Sequence, residues 1–242
     1  MVPRLLFTML AITLLYTHGA QADPSIEWND MLVKTFADPS VGWDPEYAAY
    51  AAARMNIAIY DAVNAIDQKH APYVYPVTFK ATDKTASQEA AAAQAAHDAL
   101  IALTPTRSEL WPSYDQLLAT QLKAIGDGPA RDRGRALGQA SAQAIALARA
   151  GDGSGHRADI GYIAGIFPGN YRLTGMPADK PAWGKVKLFA LESTRQFLPS
   201  GPLPLRSEEY ARELSEVKSL GRKDSTMRTP ERPSCSRATG SR

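Results

Sequence analysis

The chain reads as an all-α protein, a helical bundle, on three observations. Residues 44–66 place small and apolar side chains at helical spacing behind a well-formed helix start. Residues 90–96 are alanine but for one glutamine, the strongest helix-forming run in the sequence. Essentially no segment makes a credible strand.

The helix over 44–66 opens with Asp44 as N-cap, Pro45 in the first helical position and Glu46 near the positive end of the helix dipole. Ala51, Met55, Ala58, Ala62 and Ala65 recur on one small-residue face, while Tyr50, Arg54, Ile57, Asp61 and Asn64 follow the same spacing beside it. Arg54 and Asp61 stand two turns apart, beyond the three- or four-residue separation of a direct pair. The polar stripe is therefore either a solvated face or an anchor for another segment.

A second helix is predicted over 87–103, with Thr85 and Gln88 resembling a capping box and Pro105 following its end. A third covers 108–124 and a fourth 129–150, joined by Gly126-Asp127-Gly128. So short a link predicts an antiparallel hairpin between them, with Leu137, Ala140, Ala144 and Leu147 as the inner stripe of the fourth helix. After Gly151 glycine, proline and scattered aromatics predict a long loop until the proline-rich 199–204 segment ends. A fifth helix then starts at Ser207 as N-cap, with Glu208 and Glu209 in its first turn and Gly221 just past its end. Residues 222–242 are rich in Arg, Ser, Thr and Pro without apolar periodicity, the composition of a disordered tail.

The expected organisation is a signal peptide over 1–22, a helical region over 23–221 and the tail over 222–242. Arg4 precedes an apolar run over 5–16, followed by Ala20-Gln21-Ala22 in the small-x-small pattern of a cleavage site. That run is shorter than the roughly 20 residues a membrane span needs, so export to the periplasm or medium is expected, with a mature start at Asp23 and no stable span thereafter. A net charge of +2 points away from a nucleic-acid partner. The single cysteine, Cys235, leaves no intrachain disulfide to form.

Several segments, taken in order, resemble the N-terminal part of bacterial vanadium-dependent haloperoxidase-like proteins, in the superfamily shared with type 2 phosphatidic acid phosphatases. They are Ile26-Glu27-Trp28-Asn29, Ala53-Arg54-Met55-Asn56-Ile57-Ala58-Ile59-Tyr60-Asp61-Ala62-Val63-Asn64, Gln94-Ala95-Ala96-His97-Asp98-Ala99-Leu100, the run 137–150, Pro181-Ala182-Trp183-Gly184 and Ser207-Glu208-Glu209-Tyr210-Ala211. The resemblance implies a helical fold whose oxyanion pocket is built by later helices, and peroxide-dependent halide oxidation or acid phosphatase chemistry. It also implies vanadate or phosphate held by a lysine, two arginines and two histidines, in the order Lys-x6-Arg-Pro, Pro-Ser-Gly-His, Ser-Arg-x5-His. Cations neutralise the oxyanion, one histidine serves as axial ligand or nucleophile, and the other as acid or base.

This sequence departs from that pattern. Arg232-Pro233 has Lys223 eight intervening residues upstream, Gly153 stands where the proline of the second element would precede Ser154-Gly155-His156, and no histidine follows His156. The expectation is an incomplete haloperoxidase-like region, ending near Thr229 in unrelated sequence as a frameshift or truncated gene model would produce. It is expected to be inactive alone and to bind no vanadate, with no catalytic, cofactor-binding or metal residue assigned. The alternative is an exported, non-catalytic helical module for binding or oligomerisation. In both cases exposed apolar surface is expected to favour self-association or aggregation.

Three smaller constellations complete the reading. His156 with Asp152 and Asp159 has the donor types of a divalent-metal site, but reads better as a polar loop. His97-Asp98 sits on a helix where neighbours point apart, which predicts a hydrogen-bonded core histidine. Gly151-Asp152-Gly153-Ser154-Gly155 lacks the strand and lysine of a phosphate-binding loop and reads as a helix stop, and Ser154 has no evident base.

Overall fold

Local sequence starts and stops the helices much as their capping chemistry requires. The computed structural model describes residues 23–74, 84–155, 165–172 and 180–221, and the expected signal peptide and tail lie outside these. The described residues are helical, without strands, and the chain divides into two units at Gly155 and His156. The first unit holds α1 (Pro24–Ala37), α2 (Pro45–Asp67), α3 (Gln88–Leu103), a 3-10 turn (Ser108–Leu110), α4 (Trp111–Ile125) and α5 (Pro129–Ala148).

α1 is a helix that the periodicity missed. Asp23 caps it by accepting from the Ser25 amide at 2.8 Å, and Pro24 occupies its first turn. The same device starts α2, where Asp44 accepts from the Tyr47 amide at 2.8 Å, and α2 stops at Gln68 in the left-handed region. At α3 the expected capping box is displaced. Ser87, not Thr85, accepts from the Ala90 amide, and its hydroxyl donates to Glu89 at 3.0 Å. Thr85 instead accepts from Arg133 at 2.7 Å.

α3 is the centre of this unit, with α1, α2, α4 and α5 packed around it. Its Ala90, Ala91, Ala92, Ala93, Ala95 and Ala96 are all buried, as befits a helix apolar on every side. The expected small-residue face of α2 (Ala51, Met55, Ala58, Ala62, Ala65) is buried as read. On α5 only Ala144 of the expected inner stripe is buried: Ala140 and Leu147 are exposed and Leu137 is half-buried. The buried line is instead Gly134, Gly138, Ser141, Ala142 and Ile145, with Ala144 beside it.

The glycines explain the shift. A Cβ at Gly138 would collide with the Ala91 carbonyl oxygen and stand 2.8 Å from the Ala95 amide nitrogen; one at Gly134 would collide with the Ser87 carbonyl oxygen. Two backbones thus touch where no side chain fits, and the Ser87 amide donates to the Ala130 carbonyl at 2.9 Å to fix their register. The pairs Gly134 with Ser87 and Gly138 with Ala91 advance together, so α5 runs parallel to α3. The expected α4–α5 hairpin is not formed: the two helices share no extended interface, and each packs on α3. Gly126 and Gly128, both at positive φ, turn the chain away instead of folding it back.

The second unit contains a 3-10 turn (Trp183–Lys185) and α6 (Glu208–Leu220). α6 begins as expected, with Ser207 accepting from the Tyr210 amide at 3.1 Å and Glu208 and Glu209 in its first turn. None of its residues is buried.

Candidate functional site

The polar stripe of α2 is an anchor, not a solvated face. Asp61, 2% exposed, accepts from the Tyr73 amide at 2.7 Å and the Val74 amide at 3.1 Å. Asn64 grips His70 from both sides, donating to its carbonyl at 2.7 Å and accepting from its amide at 2.9 Å. Tyr60, outside the stripe as read, donates to the Ala71 carbonyl at 2.8 Å. These three side chains hold 70–74 along α2, and each supplies what a backbone without a strand partner lacks.

At the other end of the stripe, Tyr50 donates to Asp152 at 2.9 Å. Asp152 also accepts from the Ser154 hydroxyl at 2.6 Å and the Ser154 amide at 3.0 Å, and pairs with Arg149 at 2.7 Å. Burial pushes the Asp152 carboxyl up, but the bonds from Ser154 and Tyr50 and the charge of Arg149 bring it below the usual carboxylate range. The guanidinium carbons of Arg54 and Arg149 lie 5.6 and 5.5 Å from the Tyr50 ring centroid. Arg54 donates at 3.5 Å to the Tyr50 hydroxyl. This cluster ties the loop after α5 to α2 across 102 residues of chain.

His97 links three helices. Its Nδ1 lies 2.7 Å from Asp98 on its own helix, and its Nε2 lies 2.8 Å from Asp115 on α4. Adjacent helix residues point apart at the backbone, yet the imidazole bends back to reach Asp98. The ring edge-packs on Trp28 of α1, centroids 6.0 Å apart at 78°. Burial would lower its pKa, but the bonds to Asp98 and Asp115 and their charges outweigh this and raise it. The expectation of a hydrogen-bonded histidine is met.

The remaining ties were invisible to spacing. Trp28, fully buried, donates from Nε1 to Gln121 at 2.8 Å, and Gln121 donates in turn to Glu27. The hydroxyls of Thr35 and Tyr114 share a bond at 2.9 Å, so α1 and α4 run antiparallel. Ser141 of α5 donates to the Ala58 carbonyl of α2 at 2.7 Å.

Two cavities open on the first unit. One of about 590 Å³ is bordered by Asp23, Val63, Gln88, Glu89, Gln121 and Ile125; one of about 300 Å³ by Gln94, Asp132, Arg135 and Gln139. The charged groups near these sites are mostly matched, although Arg135 lines the smaller cavity beside Asp132. His97 is flanked by two carboxylates that repel an anion, Arg149 is matched by Asp152, and the larger cavity carries carboxylates without a cation. Among the described residues no three His, Cys, Asp or Glu side chains gather as metal ligands. In the suggested trio, Asp152 is engaged as above, while His156 and Asp159 lie outside the described residues, as do Lys223 and Arg232. Ser154 meets a carboxylate, not a histidine, and the glycine-rich run follows the end of α5 with Gly151 and Gly153 at positive φ. No helix among the described residues is long and apolar enough to cross a membrane. No protein-family profile, curated protein or solved structure matches the chain.

Proposed function

We propose that this chain is an exported helical scaffold of the haloperoxidase-like type, which forms no oxyanion pocket by itself. The supporting observation is how its buried polar side chains are used. Nine polar residues are buried among the described ones, and every one has a partner within the protein. Those partners are backbone groups or side chains of the same unit, the pattern of polar groups that hold a structure in place. The family likeness rests on the motifs alone, and the third histidine element has no counterpart after His156.

Halide oxidation with peroxide and vanadate, hydrolysis of nitrophenyl phosphate, and ⁵¹V resonance of vanadate titrated with the chain test this reading. Neither turnover nor line broadening is expected. Turnover absent from a mock preparation and abolished by Arg54→Gln would overturn it.

The alternative, a binding or oligomerisation module, is favoured by α6. Tyr210, Leu214 and Val217 recur at helical spacing on it, and Leu214 and Val217 are 46% and 66% exposed. Light scattering on the full chain should then show oligomers that Val217→Glu reduces. A monodisperse monomer at high concentration removes the oligomerisation half of this alternative.

A further inference from the structure

The bridge at His97 has a property that a packing role does not require. A neutral imidazole carries one N–H and one bare nitrogen, so it satisfies one carboxylate and repels the other. Here both nitrogens face carboxylate oxygens, at 2.7 and 2.8 Å, a geometry that favours the imidazolium, since with both carboxylates ionised each nitrogen then donates. We infer that Asp98, His97 and Asp115 form a proton-operated clamp between α3 and α4, closed on the doubly protonated ring and opened when the Nε2 proton is lost.

The asymmetry of the two carboxylates decides which side opens. Asp98 is three-quarters buried and also accepts from Gln94 at 2.9 Å, and Gln94 accepts from Arg135 of α5 at 2.9 Å. That chain of bonds fixes Asp98, and the ring keeps its proton on Nδ1. Asp115 is 67% exposed and turns readily into water, away from a bare Nε2. The charges acting on the imidazole are Asp98 from its own helix and Asp115 from α4. α1 offers it the Trp28 ring, with Glu27 taken up by Gln121; α2's Asp67 is bound to Gln88 at the start of α3; α5's Arg135 acts only through Gln94. The folded pKa lies above the unfolded value of 6.5. The clamp's contribution is therefore complete below that value and disappears as pH rises through the folded pKa.

Long-range ¹H–¹⁵N spectra of the imidazole in the full chain, from about pH 5 to about pH 9, test the clamp, with His97 assigned by its loss in His97→Gln. Both nitrogens should be protonated below the transition. Above the transition the Nδ1–H tautomer should remain, and Asp115→Asn should move the midpoint downward. Because Asp115 is exposed, that variant leaves the core intact, and melts should show the wild type losing its Tm advantage over the variant as pH rises. A wild-type midpoint at or below 6.5, an Nε2–H tautomer at high pH, or an unchanged midpoint in Asp115→Asn would each overturn the proposal.

Discussion

Gly138→Ala puts two physical effects in opposition, and the sign of the result decides between them. In an exposed helix interior, Gly to Ala stabilises by about 1 kcal/mol. At Gly138 the added methyl carbon would overlap the Ala91 carbonyl oxygen and lie 2.8 Å from the Ala95 nitrogen and 2.9 Å from Gln94 Cβ. Relaxed carbon–oxygen contacts are about 3.3–3.6 Å, so α3 and α5 must part by more than half an ångström. The obstacle is backbone, and no rotamer change relieves it. Overpacking costs about 1–3 kcal/mol, and a gap of that size forfeits a quarter or more of the dispersion along the seam. We expect the upper end of that range, hence a net loss of about 2 kcal/mol and a fall in Tm on the order of 6–10 °C.

Urea unfolding followed by circular dichroism measures the change, and exposed Ala136→Gly on the same helix calibrates propensity. Removing the Ala91 methyl should give no rescue, since the clash is with its carbonyl. A Gly138→Ala chain more stable than wild type would refute the close approach of α3 and α5, and with it the account of why the α5 core line is glycine.

Asp61→Ala should cost about 3 kcal/mol in urea unfolding, because it strands the amides of Tyr73 and Val74, and Asp61→Asn about half as much since one acceptor remains; a change under about 0.5 kcal/mol for Ala would show that 70–74 needs no anchor. Asp152 has its folded pKa below the unfolded value of 3.8, so its contribution is present above that value and is lost as pH falls through the folded pKa. Tyr50→Phe removes one of the bonds that lower it and should move acid unfolding, read by near-ultraviolet dichroism, to higher pH; an unmoved transition would mean that Ser154 and Arg149 suffice.

Much of the secondary structure was legible because capping chemistry is local: Asp44-Pro45 and Ser207 with its following glutamates start α2 and α6 where their residues say they should. α1 was missed although Asp23-Pro24 carries the same signature as Asp44-Pro45. Its large apolar residues do not share a face: Trp28 and Leu32 are buried while Ile26 and Val33 are each 61% exposed. Periodicity failed on α5 for the opposite reason. Leucine outweighs glycine in any apolar count, yet contact at backbone distance admits only glycine, so Leu147 was pushed outward. Polar anchoring was legible only as a question. The stripe on α2 raised it, but the partners of Tyr50, Trp28 and Ser141 lie 102, 93 and 83 residues away, and no spacing rule reaches so far.

The alanine core and the polar anchors are connected. Burial stabilises by about 25 cal/mol per Å² of apolar surface, and an alanine offers little of it, so a central helix built from 90–96 contributes less per residue than one of leucine. What small residues provide is proximity. α3 and α5 approach to backbone contact at Gly134 and Gly138. Stability then depends more on bonds such as Asp61 to 73–74 and Ser141 to Ala58, each buried and each binding main chain that would otherwise lose water without compensation. Converting such a bundle to catalysis would mean releasing an anchoring side chain to face a substrate, at the cost of the segment it holds. The surface clusters escape that conflict: Asp115 is exposed and anchors no backbone by its carboxylate, which is why a proton can work the α3–α4 contact while the seam between α3 and α5 stays closed.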